Sequence, residues 1–146
     1  MDIAGSVALV TGASRGMGRH FARQLLQRGA AKVYATARDP ERVDLPGVEV
    51  LRLDITDPAS VAAAAAVATD VNLVVNNAGI STFTNLVTGD LDGVRREMET
   101  HFFGTLAVTR AFADILGRNG GGQQRPAWRP QVNYARLSDR FPARPC

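Results

Sequence analysis

The sequence predicts an α/β fold, a doubly wound parallel sheet of about four strands with helices on both faces. Two observations predict it. Short apolar runs alternate with longer segments whose apolar residues recur at helical spacing. Strands that alternate with helices pair in parallel, with the helices packed over the sheet. The apolar runs are also continuous rather than alternating, as strands buried on both faces are. Of the 146 residues, 45% are hydrophobic and 21% charged, which excludes disorder over the whole length and suits one domain with a real core.

Each element has its own signal. Ser6 to Thr11 reads as the first strand, stopped by Gly12. Gly16 to Arg28 carries Met17, Phe21, Ala22, Leu25 and Leu26 at helical spacing, and Gly29 suits the position just past a helix end. Lys32 to Ala37 and Val48 to Leu53 read as the second and third strands. The connection between them, Arg38 to Gly47, holds two prolines and mixed charge and leaves a short helix unresolved. Asp57-Pro58 opens a helix that runs through an alanine stretch to about Ala68. Val71 to Val75 is the fourth strand, ended by Asn76-Asn77-Ala78-Gly79. A longer helix spans roughly Leu91 to Leu116 and stops at Asn119-Gly120-Gly121-Gly122. On it, Met98, Thr105, Val108 and Phe112 share a helical face with His101, which turns that histidine inward. His20 reads as a surface residue, and Ser14 and Ser81 as loop residues without a base partner.

Residues 123–146 differ in character. They hold five arginines against one acid, Asp139, so this segment alone carries +4 while the whole chain carries +3 and residues 1–122 come out at −1. Four prolines interrupt it, and no strand or amphipathic helix can be built from it. The division expected is a folded unit over 1–122 and an irregular basic tail over 123–146. The aromatic residues of the tail, Trp128, Tyr134 and Phe141, are too sparse for a nucleic-acid arm. The longest apolar run, Val61 to Ala68, is too short to cross a bilayer. Met1-Asp2 opens no signal peptide, so a cytoplasmic location is expected. A single cysteine, Cys146, makes neither an internal bridge nor a multi-cysteine metal site.

The strongest chemical signal is Thr11-Gly12-Ala13-Ser14-Arg15-Gly16-Met17-Gly18, between the first strand and the first helix. Gly12 permits a tight turn, Gly16 lets the backbone approach a pyrophosphate, and Gly18 lets the helix pack closely on the strand. The helix N-terminus then offers N–H donors and a positive dipole end to the phosphates. A carboxylate at the end of the second strand would select NAD through its ribose 2′-hydroxyl. Here Ala37 and Arg38 stand there instead, with Arg15 inside the glycine loop. Two guanidinium groups suit the 2′-phosphate of NADP(H), which is favoured over NAD(H), although Asp39 next door works against it.

With these residues in place the chain resembles the short-chain dehydrogenase/reductase family. The resemblance rests on Thr11-Gly12-x-x-x-Gly16-x-Gly18, on Asp54 after the third strand, on Asn76-Asn77-Ala78-Gly79 after the fourth, and on His101-Phe-Phe-Gly104. It covers residues 1 to about 122 and implies a Rossmann-like domain. It implies that Asp54 and Ile55 lie along the adenine while Asn77, Ala78 and Gly79 close over the adenosine and ribose. The cofactor-binding candidates are thus Gly12, Ser14, Arg15, Gly16, Met17, Gly18, Arg38, Asp54, Ile55, Asn77, Ala78 and Gly79. The implied activity is hydride transfer between a nicotinamide and a carbonyl or alcohol. The helix Leu91–Leu116 resembles one the family uses in dimer contacts, which leaves a homo-oligomer open.

The departures from that pattern concern catalysis. The family uses a Ser and a Tyr-x-x-x-Lys pair. Here Tyr34 is followed four residues on by Arg38, Tyr134 by Ser138, and the only lysine is Lys32. His101 stands where the family usually has an Asn. No residue is assigned a catalytic or metal-ligating role. The expectation is the cofactor-binding half of an NADP(H)-dependent oxidoreductase, truncated or frameshifted near Gly122 and inactive alone. The alternative is a non-catalytic dinucleotide-binding module whose tail docks a partner.

Overall fold

The computed structural model describes residues 2–85 and 87–120. The basic segment 123–146 lies outside the described residues. Four strands form one parallel sheet: β1 (Val7–Val10), β2 (Lys32–Ala37), β3 (Glu49–Arg52) and β4 (Leu73–Val75), in the order β3-β2-β1-β4. β1 therefore lies inside the sheet, with Ala8 opposite both Val33 and Leu73. The strand order reverses beside β1, where a crevice opens at the carboxyl ends of the strands.

The apolar residues of the strands divide between two cores with a period of two. Leu9 and Tyr34 face one layer, while Ala8, Val10, Val33 and Ala35 face the other. On the second side they meet α1 (Gly16–Gln27) through Ala22 and Leu25. On the first side they meet α2 (Pro58–Val67) and α4 (Thr105–Arg118) through Val61, Ala64, Val108, Phe112 and Ile115. Both faces of the inner strands β1 and β2 are covered, whereas the edge strand β3, Glu49 to Arg52, is largely exposed.

Local chemistry sets the boundaries. α1 ends in a full Schellman motif. The Ala30 N–H donates to the Leu25 carbonyl and the Gly29 N–H to that of Leu26, with Gly29 at φ +82°. α2 starts where the Asp57 carboxylate accepts the Ala59 N–H at 3.0 Å and Pro58 takes the first helical position. The connection from β2 to β3 contains one short 3-10 turn, Pro40–Arg42.

Two expectations need correcting. Met17 is 72% exposed and Phe21 half-exposed, because α1 packs on the sheet through Gly18, Ala22, Leu25 and Leu26 instead. The long helix is also not regular. It runs as α3 (Leu91–Met98), a π-helical segment (Glu99–Gly104) and α4. A π turn takes more residues than an α turn, so positions on its two sides fall out of 3.6-residue phase. His101 is accordingly exposed rather than turned inward, although Val108 and Phe112 beyond the break are fully buried. Among the described residues no helix is long and apolar enough to cross a membrane, and no cluster of His, Cys, Asp or Glu is arranged to hold a metal.

At the amino end of the sheet, Lys32 Nζ lies 2.8 Å from Asp70 and 3.4 Å from Glu49, and the Tyr34 hydroxyl donates to Asp70 at 2.9 Å. Burial pushes the Asp70 carboxyl up, but the hydrogen bonds from Lys32 and Tyr34 outweigh it and hold the group below the usual carboxylate range. A carboxyl depressed in the folded state adds stability above its unfolded pKa of about 3.9, and that stability is lost as the pH falls through the folded value. Urea unfolding is thus expected to find Asp70→Asn less stable than the parent at pH 7, with the gap closing below about pH 4. Phe112→Ala removes the largest fully buried side chain and is expected to cost about 3–5 kcal/mol in the same assay.

Candidate functional site

The crevice beside β1 is built on backbone geometry. Gly12 turns the chain at φ +68°, and a Cβ there would stand 2.9 Å from the Cα of Ala78. At Gly18 a Cβ would overlap the Gly12 carbonyl oxygen, so only glycine lets the first turn of α1 pack on this loop. Gly16 is different. It also has positive φ, at +55°, but nothing lies within 4 Å of where its Cβ would be. Its open side faces the crevice.

The first turn of α1 leaves its backbone donors without a local partner. Arg15 sits at the N-cap with no side-chain cap, and the turn contains no acid. An uncapped helix N-terminus with free N–H groups attracts an anion.

The turn is fixed by two strands. From β2, the Thr36 carbonyl accepts the Ala13 N–H at 2.8 Å and the Thr36 hydroxyl donates to the Val10 carbonyl at 3.1 Å. From β4, the backbone N–H groups of Asn77 and Ala78 both donate to the Thr11 hydroxyl at 2.9 Å. The Asn77 amide returns to the Thr11 carbonyl at 2.9 Å and the Gly12 carbonyl at 3.3 Å. Thr11 is fully buried, and its hydroxyl spends its own proton on the Val75 carbonyl.

Asp54 closes the far wall. Burial raises its pKa, but hydrogen bonds from the Thr56 hydroxyl and N–H, with the nearby charges of Arg38 and Arg52, bring it below the usual carboxylate range. It is an anion at neutral pH. Opposite, Glu97 accepts from the Thr82 N–H at 2.6 Å and its hydroxyl at 2.7 Å, and those bonds lower the Glu97 pKa. His101 Nε2 meets the Ile80 carbonyl at 2.6 Å, and its ring packs on Gly79. Together these two contacts hold the chain that leaves β4.

These elements enclose a cleft of about 740 Å³. All twelve residues singled out from the sequence line it: Gly12, Ser14, Arg15, Gly16, Met17, Gly18, Arg38, Asp54, Ile55, Asn77, Ala78 and Gly79. It also takes in Asp39, Arg42, Arg96, Glu99 and Thr100, which the sequence reading did not select. Arg42 had no signal beyond its charge in a mixed-charge loop. Arg96, Glu99 and Thr100 reach the cleft from the end of α3 and the π segment, which helical periodicity does not reveal. Among the described residues, Arg15, Arg38 and Arg42 make no ion pair within 4 Å.

A parallel sheet with its strand order reversed beside β1, a glycine turn and a cleft at that point is the architecture of an α/β nucleotide-binding protein. Comparison with known proteins narrows the class. Residues 6–123 match the short chain dehydrogenase family, and the chain belongs to it. It is 36% identical over 124 residues to an oxidoreductase of Penicillium decumbens, calM, covering 73% of this chain and 39% of that protein. A short chain dehydrogenase of Burkholderia cenocepacia, solved with NADP, superposes with TM-score 0.80 at 44% identity, over 83% of this chain and 52% of that one. The 3-ketoacyl-(acyl-carrier-protein) reductase of Brucella melitensis, solved with NADH, superposes with TM-score 0.73 at 31% identity, over 81% and 53%. The chain thus spans about half the length of these structures or less than half that of the fungal relative.

Two substitutions test the construction of the cleft. Gly18→Ala forces α1 off the turn and is expected to cost about 1–3 kcal/mol in a thermal or urea melt. Thr11→Val keeps the shape but strands the Asn77 and Ala78 N–H groups, with an expected loss of about 1–3 kcal/mol.

Proposed function

We propose that residues 1–122 are the dinucleotide-binding part of an oxidoreductase that takes NADP(H) in preference to NAD(H). The observation that carries the reading is that Arg15 in the glycine loop and Arg38 at the end of β2, where an NAD-selective carboxylate would stand, both line the cleft and make no ion pair among the described residues. Unpaired guanidinium groups bind a phosphate monoester by charge-assisted, bidentate hydrogen bonds.

The cleft fits such a group. Its volume lies within the range of about 300–1,000 Å³ that small-molecule sites occupy. The open side of Gly16 and the uncapped first turn of α1 suit a pyrophosphate, received by the N–H groups of Gly16, Met17 and Gly18 beside Ser14. In this reading Asp54 and Ile55 lie along the adenine, and Asn77, Ala78 and Gly79 close over the adenosine and ribose. When bound, the cofactor supplies the hydride chemistry toward a carbonyl or alcohol. The protein's part is to bind it, orient it and keep Asp54 ionised.

The 146 residues contain no Tyr-x-x-x-Lys pair. Reduction of a carbonyl needs a proton delivered to its oxygen, and a phenol near its free pKa of about 10 serves poorly at neutral pH. These residues by themselves are therefore expected to bind a dinucleotide and leave NADPH unoxidised in the presence of small carbonyls.

Equilibrium titration of the purified chain with NADPH and with NADH tests the preference. NADPH is expected to bind at least about tenfold more tightly, a difference of about 1.4 kcal/mol, and Arg38→Glu to reverse the order. Equal affinities would end the NADP(H) assignment, and absence of binding to either would end the cleft assignment with it.

A further inference from the structure

We propose that Arg42 is the third guanidinium of the 2′-phosphate site, and that its work there is to offset Asp39. The inference rests on the NADP(H) reading of the cleft and deepens it. Arg15 and Arg38 leave a difficulty, because Asp39 lines the same cleft. The ionisable residues lining it, Arg42 aside, are Arg15, Arg38 and Arg96 against Asp39, Asp54 and Glu99, which cancel. Arg15 and Arg38 then attract a phosphate dianion against the opposing Asp39 carboxylate, with no surplus of positive charge in the lining. With Arg42 the balance is +1.

The fold presents Arg42 in place. It ends the short turn that Asp39 begins: the Arg42 N–H donates to the Asp39 carbonyl at 3.3 Å and the Val43 N–H to Pro40 at 3.0 Å. One turn thus carries both the carboxylate and the cation that offsets it. Val43 and Leu45, just beyond, pack on the core under α1. Two residues past Arg42, Arg19 of α1 grips the loop. Its Nε donates to the Asp44 carbonyl at 3.0 Å, its Nη2 donates to the same oxygen and stands 3.5 Å from the Asp44 carboxylate. The helix whose first turn faces the crevice therefore also fixes the loop that carries Arg42. The Arg42 fork itself makes no ion pair among the described residues and is available for a planar anion.

The test is the ratio of NADH to NADPH dissociation constants, measured on the full chain. Arg42→Ala is expected to lower that ratio about tenfold, and Arg42→Lys to restore part of it by charge without the fork. Asp39→Asn in the Arg42→Ala background is expected to recover several-fold, which a structural role for Arg42 would not produce. Arg19→Ala is expected to move the ratio in the same direction as Arg42→Ala by about threefold, acting as a positioning residue. Arg42 is exposed, and an unchanged melting temperature checks that the variant folds. A ratio unmoved by Arg42→Ala while the parent still prefers NADPH overturns this inference and spares the reading beneath it. A parent that binds neither dinucleotide overturns both.

Discussion

One buried hydroxyl holds the working end of this domain together. Thr11 stands where β1 gives way to the glycine turn, and its oxygen receives two backbone N–H groups from the chain leaving β4 while its proton goes to Val75. A hydroxyl has one donor and two acceptor positions, and all three are used. Without it, the backbone N–H groups of Asn77 and Ala78 lose their acceptor inside the protein. The Asn77 amide, fastened to the carbonyls of Thr11 and Gly12, doubles the tie and forms part of the surface on which Gly18 packs. The loop, the helix start and the end of β4 therefore stand or fall as a unit.

Within that unit each glycine has its own reason. Gly12 and Gly18 are packing constraints, since a methyl group at either would collide with backbone. At Gly16 no neighbour lies within reach of a Cβ, and the positive φ alone favours glycine. The carboxylates divide similarly. Asp70 belongs to a compact ion cluster with Lys32 and Tyr34, whereas Asp54 is held ionised by Thr56 and two arginines on the wall of the cleft.

The sequence carried the elements better than their joints. Lys32–Ala37 is legible to the residue because a short, mostly apolar run stands between Gly29 and Pro40. The twelve cleft residues were legible through a motif that sets turn, helix start and strand ends at fixed spacing. The π segment was not. It ends at Gly104, which lies so close to Ile55 that a Cβ would stand 2.9 Å from its side chain, and periodicity does not reveal a π turn within a helix. His101 was misdirected for that reason. The Pro40–Arg42 turn is three residues long, below what a pattern can resolve, and Arg42 went unnoticed with it. Strand order is likewise invisible to local pattern, because it is decided by which crossover packs on which face.

The ion cluster and the cleft lie at opposite ends of the sheet. The amino end is fastened by Lys32, Glu49 and Asp70, and the apolar layers run between. Arg15, Arg38 and Arg42 are all exposed and none belongs to either core. The charge at the rim of the cleft can therefore change through side chains that neither apolar core contains.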